Sequence, residues 1–257
     1  KPADPETGTA FLAIESPSHA LALYRVLKKH LGDSISALEL MSGLGLDLVV
    51  SKFPTLRNPF DENPEWALLL EASGQLGFGE RFEAALASCF EKGLLQDAVI
   101  AQSQSQRDGL WDLRENTPEA NRMAGAFCNS DTSVPISRVG VFIADTIKAI
   151  HEINSNVQIN SYGHIGDGNI HHNVLPPAGV TKAAFLAANP EIIEAVRMAI
   201  NETTNHHGGS ISAEHGIGRL KTGDVEIYSS QAKLDTMKRI KLAMDPENIM
   251  NPGSLTK

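Results

Sequence analysis

Apolar positions along this chain fall into short runs that switch between strand and helix spacing. Thr9 to Ile14 is apolar with small residues and predicts a strand. Ser16 stands where a helix is capped, with Pro17 at its first position, and Leu21, Tyr24, Leu27 and Leu31 recur at helical spacing until Gly32. Ser36 to Leu40 predicts a second strand and Leu44 to Lys52 a short helix. Three prolines make 54–65 a loop. Trp66 to Ala72 and Asp97 to Ser103 read as strands around a helix from Gly79 to Lys92, with Phe82, Leu86 and Phe90 on one face. Gln106 to Arg122 reads as a helix bent near Pro118. Ala126 to Val134 is extended, and Ser137 to Ile153 is a helix with Val139, Ile143, Ile147 and Ile150 facing inward. Val157 to Tyr162 and Asn169 to Leu175 are strands about a glycine-rich loop. Thr181 to Thr204 is a helix, Gly209 to Ala213 a short strand, and Ser229 to Met244 a last helix. The expectation is an α+β fold, an antiparallel sheet with helices packed on one face, followed by a helical C-terminal segment.

Composition narrows the function classes. The chain has 257 residues, 42% hydrophobic and 21% charged, as in ordinary globular proteins. A formal net charge of −9 argues against a nucleic-acid partner, which needs a basic face. No apolar run is long enough for a membrane span, and the N-terminal Lys1 to Glu6 lacks a signal-peptide core. Cys89 and Cys128 lie far apart and read as reduced structural thiols, which fits a cytoplasmic protein.

The chemistry concentrates in two segments. His164 and His171 flank Ile165-Gly166-Asp167-Gly168-Asn169-Ile170. In one strand an odd separation would put them on opposite faces. Glycine and Asp-Gly break the strand, so the chain can turn back and aim both imidazoles at one point. Glu214 offers an oxygen ligand, and two histidines with one carboxylate describe a catalytic metal site. His215 follows directly and is placed to take a hydroxyl proton. His172, His206 and His207 lie close enough to these motifs to replace one of the proposed ligands, but read better as surface or helix-end residues. Arg114, in Leu110-Trp111-Asp112-Leu113-Arg114-Glu115, is either a clamp for a carboxylate or half of an ordinary surface Arg–Glu pair.

The ordered set Trp111-Asp112-Leu113-Arg114-Glu115, Asp131-Thr132-Ser133-Val134-Pro135, Gly163 to His171, Ser212 to Gly218, Asp245-Pro246 and Asn251-Pro252-Gly253 resembles the C-terminal half of the FAD-linked oxidases. This is the group of D-lactate dehydrogenase, the glycolate oxidase flavin subunit and D-2-hydroxyglutarate dehydrogenase. The resemblance covers nearly the whole chain. It implies a flavin dehydrogenase in which the α-hydrogen passes to the flavin as a hydride while a histidine takes the hydroxyl proton. On that resemblance His164, His171 and Glu214 hold a divalent metal, zinc or manganese, and His215 is the base. Arg114 and Asn173 bind the substrate, a small 2-hydroxy acid.

Two departures bear on the acid. Family members often carry a threonine that falls here on Pro118, and a lysine where this chain has Asn129-Ser130. The lost cation weakens the case for a dicarboxylate such as 2-hydroxyglutarate and favours a smaller or differently polar hydroxy acid. Gly43-Leu44-Gly45 and Gly74-Gln75-Leu76-Gly77 are too isolated for a pyrophosphate cradle, so FAD is expected on a separate domain and its contacts here are unknown. Residues 1–208 then form a ferredoxin-like substrate-binding cap, and 209–257 a segment that packs on the FAD-binding domain. Alone, such a chain turns over nothing. An electron acceptor and a second copy of the chain are further expected partners. Two other classes stay open on the residues alone: a metal-dependent hydrolase using the same ligands, and a non-catalytic module that binds a hydroxy acid.

Overall fold

The computed structural model describes residues 6–255, so the reading of Lys1 to Pro5 lies outside the described residues. In chain order the elements are β1 (Glu6–Ile14), α1 (Pro17–Leu31), β2 (Ile35–Ser42), α2 (Gly43–Lys52), β3 (Trp66–Gly74), α3 (Phe78–Glu91), β4 (Asp97–Ile100), α4 (Gln104–Glu115), α5 (Thr117–Met123), β5 (Cys128–Asn129) and β6 (Thr132–Ser133). Then come α6 (Val139–Ile153), β7 (Gln158–His164), β8 (Asn169–Leu175), α7 (Lys182–Ala188), α8 (Ile192–His206), α9 (Thr222–Tyr228) and α10 (Gln231–Met244).

One antiparallel sheet runs β4-β1-β3-β2-β7-β8-β5, with β6 also paired to β8. Its first four strands, with α1 and α3 as crossovers, have the ferredoxin-like order. The β7–β8 hairpin extends this unit from the edge of β2. The α+β class expected from the sequence holds.

The helices, however, cover both faces rather than the single face expected. Ala10, Leu12, Ile14, Leu38, Leu40, Leu68 and Leu70 meet α1, α3 and α6. The alternate positions Phe11, Ala13, Met41, Ala67 and Leu69 meet Leu46 and Val49 of α2, Leu110 and Leu113 of α4, and Ala120 of α5. The signal was in the sequence: Ala10 to Ile14 and Ala67 to Leu70 are apolar at consecutive positions, which only a strand covered on both sides requires. A third cluster joins α6, α7 and α8 to Val174 of β8.

Other differences have local causes. The expected helix from Thr181 to Thr204 breaks into α7 and α8 at Asn189-Pro190, because proline disfavours helical backbone at the residue before it. Pro118 likewise lies just inside α5, which is separate from α4. Phe90 of α3 points away from the core, which takes Phe78, Phe82, Ala85, Leu86 and Cys89 instead. The expected strand from Gly209 to Ala213 is a single bridge between Ser210 and Ser133. Helix α9 contains a glycine and has no helical apolar spacing, so no periodicity in the sequence marks it. No described helix is long and apolar enough to cross a membrane.

Candidate active site

The β7–β8 hairpin carries most of the site. His164 pairs with Asn169 and Tyr162 with His171, so alternation puts Tyr162, His164, His171 and Asn173 on the sheet face shared with α2, α4 and α5. The turn depends on Gly168, whose φ is +77° and where a Cβ would lie 2.0 Å from the Val134 carbonyl oxygen. Strand β2 runs beside β7 and sets Glu39 opposite His164.

Glu39 is a buried acid that the sequence reading did not single out. His164 donates its Nδ1–H to the Glu39 carboxylate at 2.8 Å, because a carboxylate can only accept. His171 donates its Nδ1–H to the Ser130 carbonyl at 3.1 Å. Each bond fixes the tautomer and leaves an Nε2 lone pair facing Glu214. Nε2 of His164 is 3.4 Å from one Glu214 oxygen and Nε2 of His171 is 3.9 Å from the other. One ligand atom from each of the three residues lies within 4.8 Å of the others. Two oriented imidazoles and a carboxylate with open positions fit a divalent cation by donor chemistry. Burial pushes the His171 pKa down, toward the neutral ligand form. The hydrogen bond to Glu39 raises that of His164.

Arg114 is not on the surface. It is 8% exposed, and its Nε and Nη2 both reach a Glu39 oxygen at 3.0 Å. Its guanidinium lies over the Tyr162 ring at 4.9 Å. Glu39 therefore joins Arg114 to His164 in one buried network. Asn173 is buried on the same strand face as His171. His215 is exposed, with its ring roughly parallel to that of His171 at 6.2 Å and its Nδ1 3.7 Å from Asp131.

The remaining histidines face elsewhere. His172 was read as a surface or helix-end residue and is instead wholly buried on the opposite sheet face. There it shares a 2.8 Å hydrogen bond with Ser161, packs on Phe142, and burial lowers its pKa to about 3. His207 closes α8 and bonds Asp145 at 2.9 Å; His206 is exposed at the helix end. Gly43-Leu44-Gly45 forms the first turn of α2, directly after β2. Both glycine N–H groups are committed within the protein, Gly43 to the Glu65 carbonyl at 2.7 Å and Gly45 to the Ser42 hydroxyl at 3.2 Å.

Fold and site together define a ferredoxin-like α+β domain presenting a His, His, carboxylate set beside a buried arginine. Over residues 4–255 the chain matches the family of FAD linked oxidases, C-terminal domain, and it belongs to that family. It is 32% identical over 245 residues to the mitochondrial D-2-hydroxyglutarate dehydrogenase of Arabidopsis thaliana, covering 95% of this chain and 42% of that protein. It is 32% identical over 252 residues to the D-2-hydroxyglutarate dehydrogenase of Xanthomonas citri pv. viticola, covering 98% of this chain and 52% of that one. The chain thus spans about half the length of the curated relatives it matches. In fold it is similar to the 4-ethylphenol oxidase of Gulosibacter chungangensis, with a TM-score of 0.64 at 16% identity over 98% of this chain and 54% of that one.

Proposed function

We propose that this chain is the substrate-binding and proton-accepting part of a flavin-dependent dehydrogenase that oxidises a D-2-hydroxy acid to a 2-oxo acid. A divalent cation, zinc or manganese, would be held by His164, His171 and Glu214. The observation that carries the reading is the pair of Nε2 lone pairs turned toward one carboxylate, each fixed from behind by an Nδ1–H bond. Such a cation, when bound, supplies Lewis acidity that lowers the pKa of a substrate hydroxyl. FAD, held mainly by another domain, supplies the two-electron acceptor this oxidation needs.

The chain's own residues do the rest. His215 Nε2 takes the hydroxyl proton while Nδ1 faces Asp131. Arg114, with Nε and Nη2 bound to Glu39, keeps its Nη1 edge for the substrate carboxylate. Asn173 lends its amide from the same strand face as His171. Residues 209–257 pack on the FAD-binding domain. In support, Leu220, Ile227, Ile240, Leu242, Met244, Ile249, Met250 and Leu255 of that segment are all exposed.

The names of the relatives point to D-2-hydroxyglutarate. Asn129, which pairs with Asn173 across β5 and β8, puts a neutral amide beside the proposed substrate site and favours a smaller acid. The test uses the chain joined to its flavin domain, mixed anaerobically with D-lactate, D-2-hydroxyglutarate and other D-2-hydroxy acids. Bleaching of the flavin by at least one is expected; a flavin that stays oxidised with all of them sinks the proposal. Metal analysis tests the cation separately, with His164→Ala and His171→Ala each expected to lower the bound zinc or manganese.

A further inference from the structure

Glu214 and His215 lie in a stretch between α8 and α9 that has no regular secondary structure. A functional pair on such a stretch needs something to hold it. The neighbouring bridge between Ser210 and Ser133 ends before the pair begins. The holding group is Asp131, a carboxylate only 3% exposed between β5 and β6.

Its oxygens accept hydrogen bonds from three consecutive main-chain N–H groups: Ala213 at 3.2 Å, Glu214 at 3.1 Å and His215 at 2.9 Å. A fourth comes from the side-chain amide of Asn169 at 3.1 Å. Asn169 opens the strand that carries His171. Lys221 Nζ stands 3.8 Å away and adds a compensating charge. Burial works to raise the Asp131 pKa, but the N–H groups of His215 and Glu214 and the Asn169 amide outweigh it and hold the carboxyl below its ordinary range. The preceding residue completes the arrangement, since the Ser130 carbonyl accepts the Nδ1–H of His171. Two adjacent residues therefore grip both halves of the cluster, the hairpin through Ser130 and Asn169 and the irregular segment through the Asp131 carboxylate.

We propose that Asp131 is a positioning residue that fixes Glu214 at its distance from His164 and His171, and fixes His215 beside them. It touches neither substrate nor cation; it acts through the main chain of residues 213–215. The inference rests on the metal site proposed above.

The experiment measures zinc affinity by calorimetry, with zinc chloride alone as probe, in the unaltered protein and in Asp131→Asn. Amide hydrogen exchange is followed in both. Asparagine keeps the volume but replaces one acceptor oxygen with an N–H donor that faces main-chain N–H groups. Loss of such a supporting contact weakens metal affinity by about 10- to 100-fold, and that loss is the expected result. The amides of 213–215 should exchange slowly in the unaltered protein, despite their irregular backbone, and fast in the variant. The β7–β8 amides should stay protected in both, which a general loss of structure would not allow. An unchanged zinc Kd in Asp131→Asn overturns the inference and leaves the metal site standing. No zinc binding by the unaltered protein overturns the metal site and this inference with it. Should Asp131→Asn fail to fold, fast exchange of 213–215 in the unaltered protein alone is enough to overturn it, and slow exchange supports it.

Discussion

Replacing Glu39 by glutamine asks the most of the buried network. The substitution keeps the shape and removes the charge. Glu39 and Arg114 have side chains 8% and 10% exposed, so solvent does little to screen the pair. Removing one partner of such a pair leaves a buried charge uncompensated and costs roughly 3–5 kcal/mol. For a chain of this length that is a fall in Tm of about 6–20 °C, at ~2–4 °C per kcal/mol. Glutamine must also choose an orientation. If its oxygen faces Arg114, its amide N–H faces His164 Nδ1, and the ring is driven to the tautomer with Nε2–H toward Glu214. If its oxygen faces His164, its N–H groups face the guanidinium. In the first case the ligand lone pair is lost; in the second the arginine is left without an acceptor. Zinc affinity should fall by about 10- to 100-fold on the first alternative.

The assay is a double-mutant cycle of Glu39→Leu, Arg114→Met and the pair together, alongside Glu39→Gln, with metal-free thermal unfolding and zinc calorimetry on each. Each single variant should be strongly destabilised, and the double variant much less than the sum, because a packed apolar pair replaces the ion pair at small cost. Additive losses, or a Glu39→Gln protein with unchanged Tm and zinc Kd, would refute the assignment of Glu39 as the link between Arg114 and His164.

Two further outcomes are expected. Gly168→Ala should lose at least the roughly 1–3 kcal/mol of a forced left-handed backbone, since its Cβ also meets the Val134 carbonyl, whereas Gly166→Ala has open space and should stay within about 0.5 kcal/mol of the parent in urea unfolding. Equal effects of the two would mean that the turn is not held as described. Burial pushes both Cys89 and Cys128 up to about 11, so at pH 8 only about one thiol in a thousand is ionised; a thiol reagent should label neither in the folded protein and both in denaturant.

The parts of the fold that sequence revealed are those with local signals. Strand β8 is legible to the residue because the glycine-rich Gly166-Asp167-Gly168 turn precedes it and Pro176-Pro177 ends it. The meeting of His164, His171 and Glu214 was legible because glycines frame each motif. Glu39 was not, since its role depends on the pairing of β2 with β7, a register set by residues more than a hundred positions apart. A trace of it was present: an acid between Leu38 and Leu40 in an otherwise apolar strand asks for a buried partner. Arg114 offered the same trace, one residue after Leu113 and four after Leu110 on the buried side of α4. Main-chain contacts such as those of Asp131 leave no mark on residue type at the donor end, so spacing and composition could not reveal them.

The back-to-back histidines of β8 have a consequence for how the hairpin tolerates change. His171 looks into the cluster while His172, a wholly buried ring on Phe142 with a bond to Ser161, looks into the apolar layer. A slip of one residue in β8 would exchange their faces, so that a histidine would still stand in the cluster and sequence inspection would find nothing missing. What would betray the slip is the other side, where Ile170 and Val174 would leave the core and polar Asn173 would enter it. Ile170 and Val174 thus work as the proofreaders of strand alignment: the protein checks the placement of its site chemistry from the interior, by what fits there.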